Sequence, residues 1–146
     1  MPNWCWNRAI FSVRGEKLPE LIRLKQAFQD GFPFNSYLPI PRHHNNTLDT
    51  YTNRWGTKWD LDPHHEEIVI SNNSFRIMFE TAWTPPIEFY RELIRIGINV
   101  DAYYLEPGMD FCGHFVDGVD RYFKGLASKD YRIVDICSNM GFDHRW

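Results

Sequence analysis

Long hydrophobic runs are missing from this chain of 146 residues. No stretch approaches the roughly 20 consecutive apolar residues that a bilayer-spanning helix needs, so no membrane partner is expected. The first residues, Met1-Pro2-Asn3-Trp4-Cys5-Trp6-Asn7, show no basic region followed by an apolar run, which argues against a secretion signal. Cysteine is scarce and odd in number. Cys5, Cys112 and Cys137 lie far apart and none falls in a CxxC or zinc-like spacing, so reduced thiols and a cytoplasmic location are expected. A surplus of positive charge is absent too. The formal net charge of −3 speaks against a broad grip on phosphates, because non-specific nucleic-acid affinity comes mainly from counterion release by clustered Lys and Arg. No GxGxxG, Walker, HExxH or GxSxG signature occurs, which lowers the prospect of common nucleotide, protease and esterase chemistry.

Aromatic residues are abundant. They make up 16% of the chain, whereas the 43% hydrophobic and 24% charged fractions are ordinary for a globular protein and exclude a disordered one. A single domain spanning residues 1–146 is expected, since a chain of this size buries roughly 70% of its unfolded surface.

Along the chain, Asn7, Ala9, Phe11 and Val13 alternate with Arg8, Ile10 and Ser12, predicting a strand that stops at Gly15. Leu18, Leu21, Ile22 and Phe28, with Pro19 early and Gly31 late, predict a helix over 17–29. Residues 32–65 show no clean period and hold four of the nine prolines and four of the six histidines; this long insertion is expected to hide short elements. Residues 67–71 and 75–81 flank Asn72-Asn73-Ser74 and predict a hairpin. Thr84 is placed to cap a second helix containing Pro85, Pro86, Ile87, Tyr90, Leu93 and Ile94 and closed by Gly97. A strand over 98–104 follows, then a hairpin of 111–116 and 119–124 around Asp117-Gly118, and a helix over 131–140. The expected fold is α+β: a ferredoxin-like βαββαβ antiparallel sheet with two helices on one face. The insertion separates helix 1 from strand 2, and a C-terminal hairpin and helix extension occupies about 110–146.

Three motifs prescribe local geometry: Trp55-Gly56-Thr57-Lys58-Trp59-Asp60, Thr81-Ala82-Trp83-Thr84-Pro85-Pro86, and Glu106-Pro107-Gly108-Met109-Asp110-Phe111. Together with Met1-Pro2-Asn3-Trp4-Cys5, Asn7 and Gly113, they resemble the YubB-like ferredoxin-fold family, small proteins carried by bacteriophages and conjugative plasmids; the resemblance covers roughly residues 1–125. It implies the fold and a mobile-element setting inside a bacterial host cell, and it brings no catalytic residues and no cofactor.

Trp55 and Trp59 form either an aromatic platform oriented by Lys58 and Asp60 or a pin that holds the insertion over the sheet. Trp83 precedes the second helix, where an apolar residue can staple its start. Glu106 and Asp110 are either a carboxylate pair or turn builders around Pro107-Gly108. His43, His44, His64 and His65 with Asp60, Asp62 and Glu66 invite a metal reading, although adjacent loop histidines rarely both turn inward. Cys112 beside His114 lacks an oxyanion site and an orienting partner.

The leading expectation is a non-enzymatic interaction protein that binds and inhibits a host protein such as a defence-system component, as an anti-CRISPR protein does. Its binding residues are expected among Trp55, Lys58, Trp59, Asp60, Trp83, Tyr103, Glu106 and Asp110. One alternative is nucleic-acid binding on the sheet face, with Phe75 and Phe79 stacking bases; the other is a metal-dependent enzyme built on the insertion.

Overall fold

Period-two alternation begins three residues earlier than Asn7. In the computed structural model, which describes residues 3–40, 48–57, 60–61 and 66–142 and only the backbone of 48–51, strand β1 runs Trp4–Ser12. Cys5, Asn7, Ala9 and Phe11 are buried on one face, while Trp4, Trp6 and Ile10 look out from the other. The remaining elements are α1 (Leu18–Asp30), α2 (Pro33–Tyr37), α3 (Leu48–Trp55), β2 (Ser74–Ala82), α4 (Ile87–Arg95), β3 (Asn99–Glu106), β4 (Phe111–Val116), β5 (Val119–Lys124) and α5 (Tyr131–Asn139). The five strands form one antiparallel sheet in the order β2-β1-β3-β4-β5.

The front face carries the main core. Ala9, Phe11, Phe75, Ile77, Phe79, Val100, Ala102 and Phe115 from the sheet meet Leu21, Leu24 and Phe28 of α1, Phe34 of α2, Trp55 of α3, and Phe89, Tyr90 and Leu93 of α4. Four helices therefore close this face, two more than the alternation of the chain predicts, because the insertion contributes α2 and α3. In α1 the buried stripe is Leu21, Leu24 and Phe28, and Ile22 is 51% exposed. Rings at the centre pack tilted or edge to face, as between Phe28 and Phe89 at 6.1 Å, the arrangement aromatic quadrupoles favour.

Two expectations change. Residues 67–71 form no strand; the sole pairing there is a bridge from Ser71 to Ser74. The chain ahead of this turn is tied to the helix layer, where Phe32 N–H donates to the Leu61 carbonyl at 3.3 Å and Gln29 Nε2 to the Glu66 carbonyl at 3.4 Å, so it reaches the sheet edge only at the turn. The turn itself is as predicted, with Asn72 and Asn73 at φ 53° and 60°, the conformation of a tight hairpin. Thr84 does not cap α4: its hydroxyl donates 2.6 Å to the Gly56 carbonyl, and the helix starts at Ile87 after Pro86.

The second hairpin and the last helix agree with the pattern, with Asp117 and Gly118 at φ 53° and 76° and Asp130 capping α5 by accepting from Arg132 N–H at 2.9 Å. Among the described residues, no helix is long and apolar enough to cross a membrane. Gly113 lies where a Cβ would meet the ring of Tyr104 at 2.1 Å, and the Tyr104 hydroxyl donates 2.5 Å to Asp120. Gly113→Ala is expected to push that buried ring off Asp120 and to destabilise the fold by about 1–3 kcal/mol, measured by urea denaturation.

Candidate functional site

The first two prescribed motifs meet, and they build scaffold. Trp55 is 3% exposed, packs on Phe34 at 6.0 Å and donates its Nε1–H to the Leu38 carbonyl at 2.8 Å. Its indole is thus the pin of the insertion and offers no open ring face. Gly56, at φ 90°, sits where a Cβ would come within 2.6 Å of the Ile87 nitrogen. Thr57 is buried and donates to the Ala82 carbonyl at 2.7 Å, while Thr81 donates to the Thr84 carbonyl at 2.7 Å. Lys58 and Trp59 lie outside the described residues. Trp83, at φ 72° and half-buried, donates its N–H to the Asn3 carbonyl at 2.8 Å. A Cβ on Gly108 would in turn strike the Asn3 side chain at 2.7 Å, so Asn3 lies between the Trp83 and Gly108 turns.

The carboxylates are spent on backbone amides. Asp60 accepts from the N–H groups of Phe34, Asn35 and Leu61 at 3.1, 2.7 and 2.9 Å, capping α2 from a distant part of the chain. Burial nevertheless pushes its carboxyl above the ordinary aspartate value, against the lowering effect of those three bonds. Glu106 is 1% exposed and accepts from Gly108 and Met109 N–H, both at 2.7 Å. Asp110, at φ 61°, accepts from Leu126 N–H at 2.8 Å. Glu106 and Asp110 therefore share a turn as its builders. His43, His44, His64, His65 and Asp62 lie outside the described residues, and Glu66 is exposed.

The thiols are placed for packing. Cys112 and Cys137 sit together beneath α5 with Leu105, Ile133 and Ile136. Burial, then the neighbouring Cys137, pushes the Cys112 thiol up to about 12, and burial also raises Cys5 and Cys137. His114 is turned to Asp101, its Nε2 2.6 Å from the carboxylate, so it does not serve Cys112 as a base.

Among the described residues, what remains open is the back face. α5 crosses it, covering Leu105, Cys112 and part of Phe123. Arg8 secures the far end of α5 by donating to the Asn139 carbonyl at 2.8 Å. Beside the helix, strand register sets Met78, Arg8, Tyr103, His114 and Arg121 in one transverse row. Tyr103 stacks on His114 with centroids 4.0 Å apart and planes 11° from parallel. Its phenol is raised above the ordinary value, first by partial burial and then by Asp101 and Asp135, with Arg8 opposing. At the β2–β1 end, Trp6, Met78, Glu80 and Met140 line a hollow of about 290 Å³. At the β4–β5 end, His114, Arg121, Lys129, Tyr131 and Asp135 help line a groove of about 830 Å³. Trp4 and Trp6 are each 39% exposed, Ile10 37% and Met78 57%. Phe75 and Phe79, by contrast, lie under the helices at 2% and 9%, so base stacking on them is excluded.

Of the sequence-predicted binding residues that are described, only Tyr103 belongs to this open face. Met78 and Arg121 carry no sequence signal that marks them as a site, and Trp4 and Trp6, which share one side of an extended segment, read from sequence as core or lid, whereas β1 turns both indoles outward, opposite the core-facing Asn7 and Ala9. Comparison of the chain with protein-family models, curated proteins and solved structures gives no match.

Two outcomes follow. Because the folded carboxyl of Asp60 titrates above its unfolded value, the native state binds more protons between those two values, and stability falls as pH rises through that window. Asp60→Asn is expected to abolish this fall, read as the pH slope of urea-unfolding free energy. An alkylating reagent near neutral pH is expected to leave Cys5, Cys112 and Cys137 unmodified in the native protein and to label all of them in denaturant, read by mass spectrometry.

Proposed function

We propose that the chain is a non-enzymatic interaction protein of a phage or plasmid that binds a host protein, such as a defence-system component, and that it does so at the Trp6–Met78 end of the open sheet face. The observation that carries this reading is the exposure of Trp4, Trp6, Ile10 and Met78 on two adjacent strands. Large apolar groups in one patch, rimmed here by Arg76 and Glu80, mark interaction surfaces, and tryptophan is a frequent interface anchor. Glu106, whose oxygens accept from backbone amides, and Cys112, whose thiol is raised by burial, add weight, since neither is set up as a nucleophile.

The ferredoxin-like assignment and the YubB-like resemblance belong to the same proposal. In a split βαββαβ layout the first strand lies between the third and the last. Here β1 lies between β2 and β3, which occupy those places in the chain, and the edge strand expected at 67–71 is missing. β4 and β5 extend the other edge.

Wild-type and Met78→Asp baits, shown by circular dichroism to be equally folded, are to be compared against lysates of several bacterial hosts. The wild-type bait is expected to enrich a host protein whose affinity falls by about tenfold or more in the variant, the scale of losing a central apolar anchor. Equal capture by both baits, or nothing above background in any host, overturns the reading.

A further inference from the structure

The groove between α5 and the β4–β5 hairpin shares no lining residue with the Trp6–Met78 hollow, and its chemistry differs. At about 830 Å³ it falls within the 300–1,000 Å³ typical of small-ligand sites. Three kinds of group converge on it. The first is a flat surface: His114 lines the groove, Tyr103 backs it at 4.0 Å, and Asp101 fixes the ring through Nε2. A ring held this way presents a fixed π-face on its groove side.

The second is positive charge with no other use. Arg121 lies directly across the strand pair from His114, and Arg121 and Lys129 have no ion pair among the described residues. Arg132 is different: it pairs with Asp130 at 2.7 Å and lies over the Phe123 ring at 4.9 Å. The third is a set of groups that meet hydroxyl or amino donors, namely the Asp135 carboxylate and the Ser138 hydroxyl on the α5 wall. Uncommitted charge in the groove thus amounts to Arg121 and Lys129 against Asp135, a positive balance on a chain whose formal charge is −3.

A planar ring, neighbouring hydroxyls and an anion joined in one molecule describe a nucleoside phosphate. We infer that this groove binds a nucleoside monophosphate unit, with its base on the open face of the His114–Tyr103 stack, its sugar hydroxyls toward Asp135 and Ser138, and its phosphate toward Arg121 and Lys129. The unit comes either as a free nucleotide or within a single strand; the contacts are the same. This inference stands apart from the host-protein reading, which uses other residues.

Calorimetric titration of the full chain with 5′-AMP, adenosine, inorganic phosphate and a short oligouridine tests it, with the His114 ring protons followed by NMR. AMP is expected to bind more tightly than adenosine or phosphate and to shift the His114 signals. Arg121→Ala and Lys129→Ala, both at exposed positions, are each expected to weaken AMP by about tenfold, the loss of one charge-assisted contact, while leaving adenosine binding and the circular dichroism spectrum unchanged. Tighter binding of the oligonucleotide than of AMP identifies a strand as the source; equal or weaker binding identifies a free nucleotide. Phosphate binding as tightly as AMP, unchanged affinity in both variants, or no binding of any probe at millimolar concentration overturns the inference.

Discussion

Among the described residues, a single nine-residue helix, α5, lies against the back of a five-stranded sheet, joined there by Leu126, Met140 and Phe142. A helix about 10 Å wide and about 13 Å long lies there against strands spaced about 4.8 Å apart, a surface roughly 19 Å across. Much of the face is therefore left uncovered by the described residues. The front face has no such shortage, since α1 to α4 all send apolar side chains into its core. This imbalance between the two faces decides where the molecule is able to meet anything else.

The front is closed by prescribed backbone geometry as much as by apolar burial. Gly56 brings the end of α3 against the start of α4, and Thr57 and Thr84 exchange hydroxyl bonds with the carbonyls of Ala82 and Gly56. Behind them, Asn7 donates to the Cys5 carbonyl at 3.1 Å and to the Thr81 hydroxyl at 3.0 Å, while its Oδ1 accepts from Tyr90 at 3.3 Å. Each of these groups would carry a desolvation penalty of about 1–3 kcal/mol if left unsatisfied, so the network fixes one arrangement of sheet and helices. The same logic consumes Asp60, Glu106 and Asp110, whose oxygens answer amides that the turns leave without partners.

On the back face, α5 divides the open surface by chemistry. Near its C-terminal end Met140 lines one hollow with Trp6 and Met78, a largely apolar setting suited to a protein contact. Near its start the groove gathers Arg121, Lys129 and the Tyr103–His114 stack, a polar setting with fixed directions. β1 ties the two together, because Arg8 both holds the Asn139 carbonyl and stands in the same row as Tyr103 and His114.

Local physics was legible in the chain. Alternation placed Asn7, Ala9 and Phe11 on the core face, Asn72-Asn73 and Asp117-Gly118 marked tight hairpins, and Gly97 marked the end of α4, because each signal acts over only a few residues. The supposed strand at 67–71 had the right composition, yet its neighbours tie it to the helix layer and keep it off the sheet. Motif residues such as Glu106 and Trp55 carried both a site and a scaffold reading until their partners were placed. By itself, then, the sequence determined that strands have two unlike faces and where the chain turns. Which face receives one helix and which receives four, and which carboxylates are used up, only the tertiary structure decided. The reason is that these outcomes depend on contacts between groups far apart along the chain, such as Asp60 with Asn35 and Arg8 with Asn139, about which local periodicity carries no information.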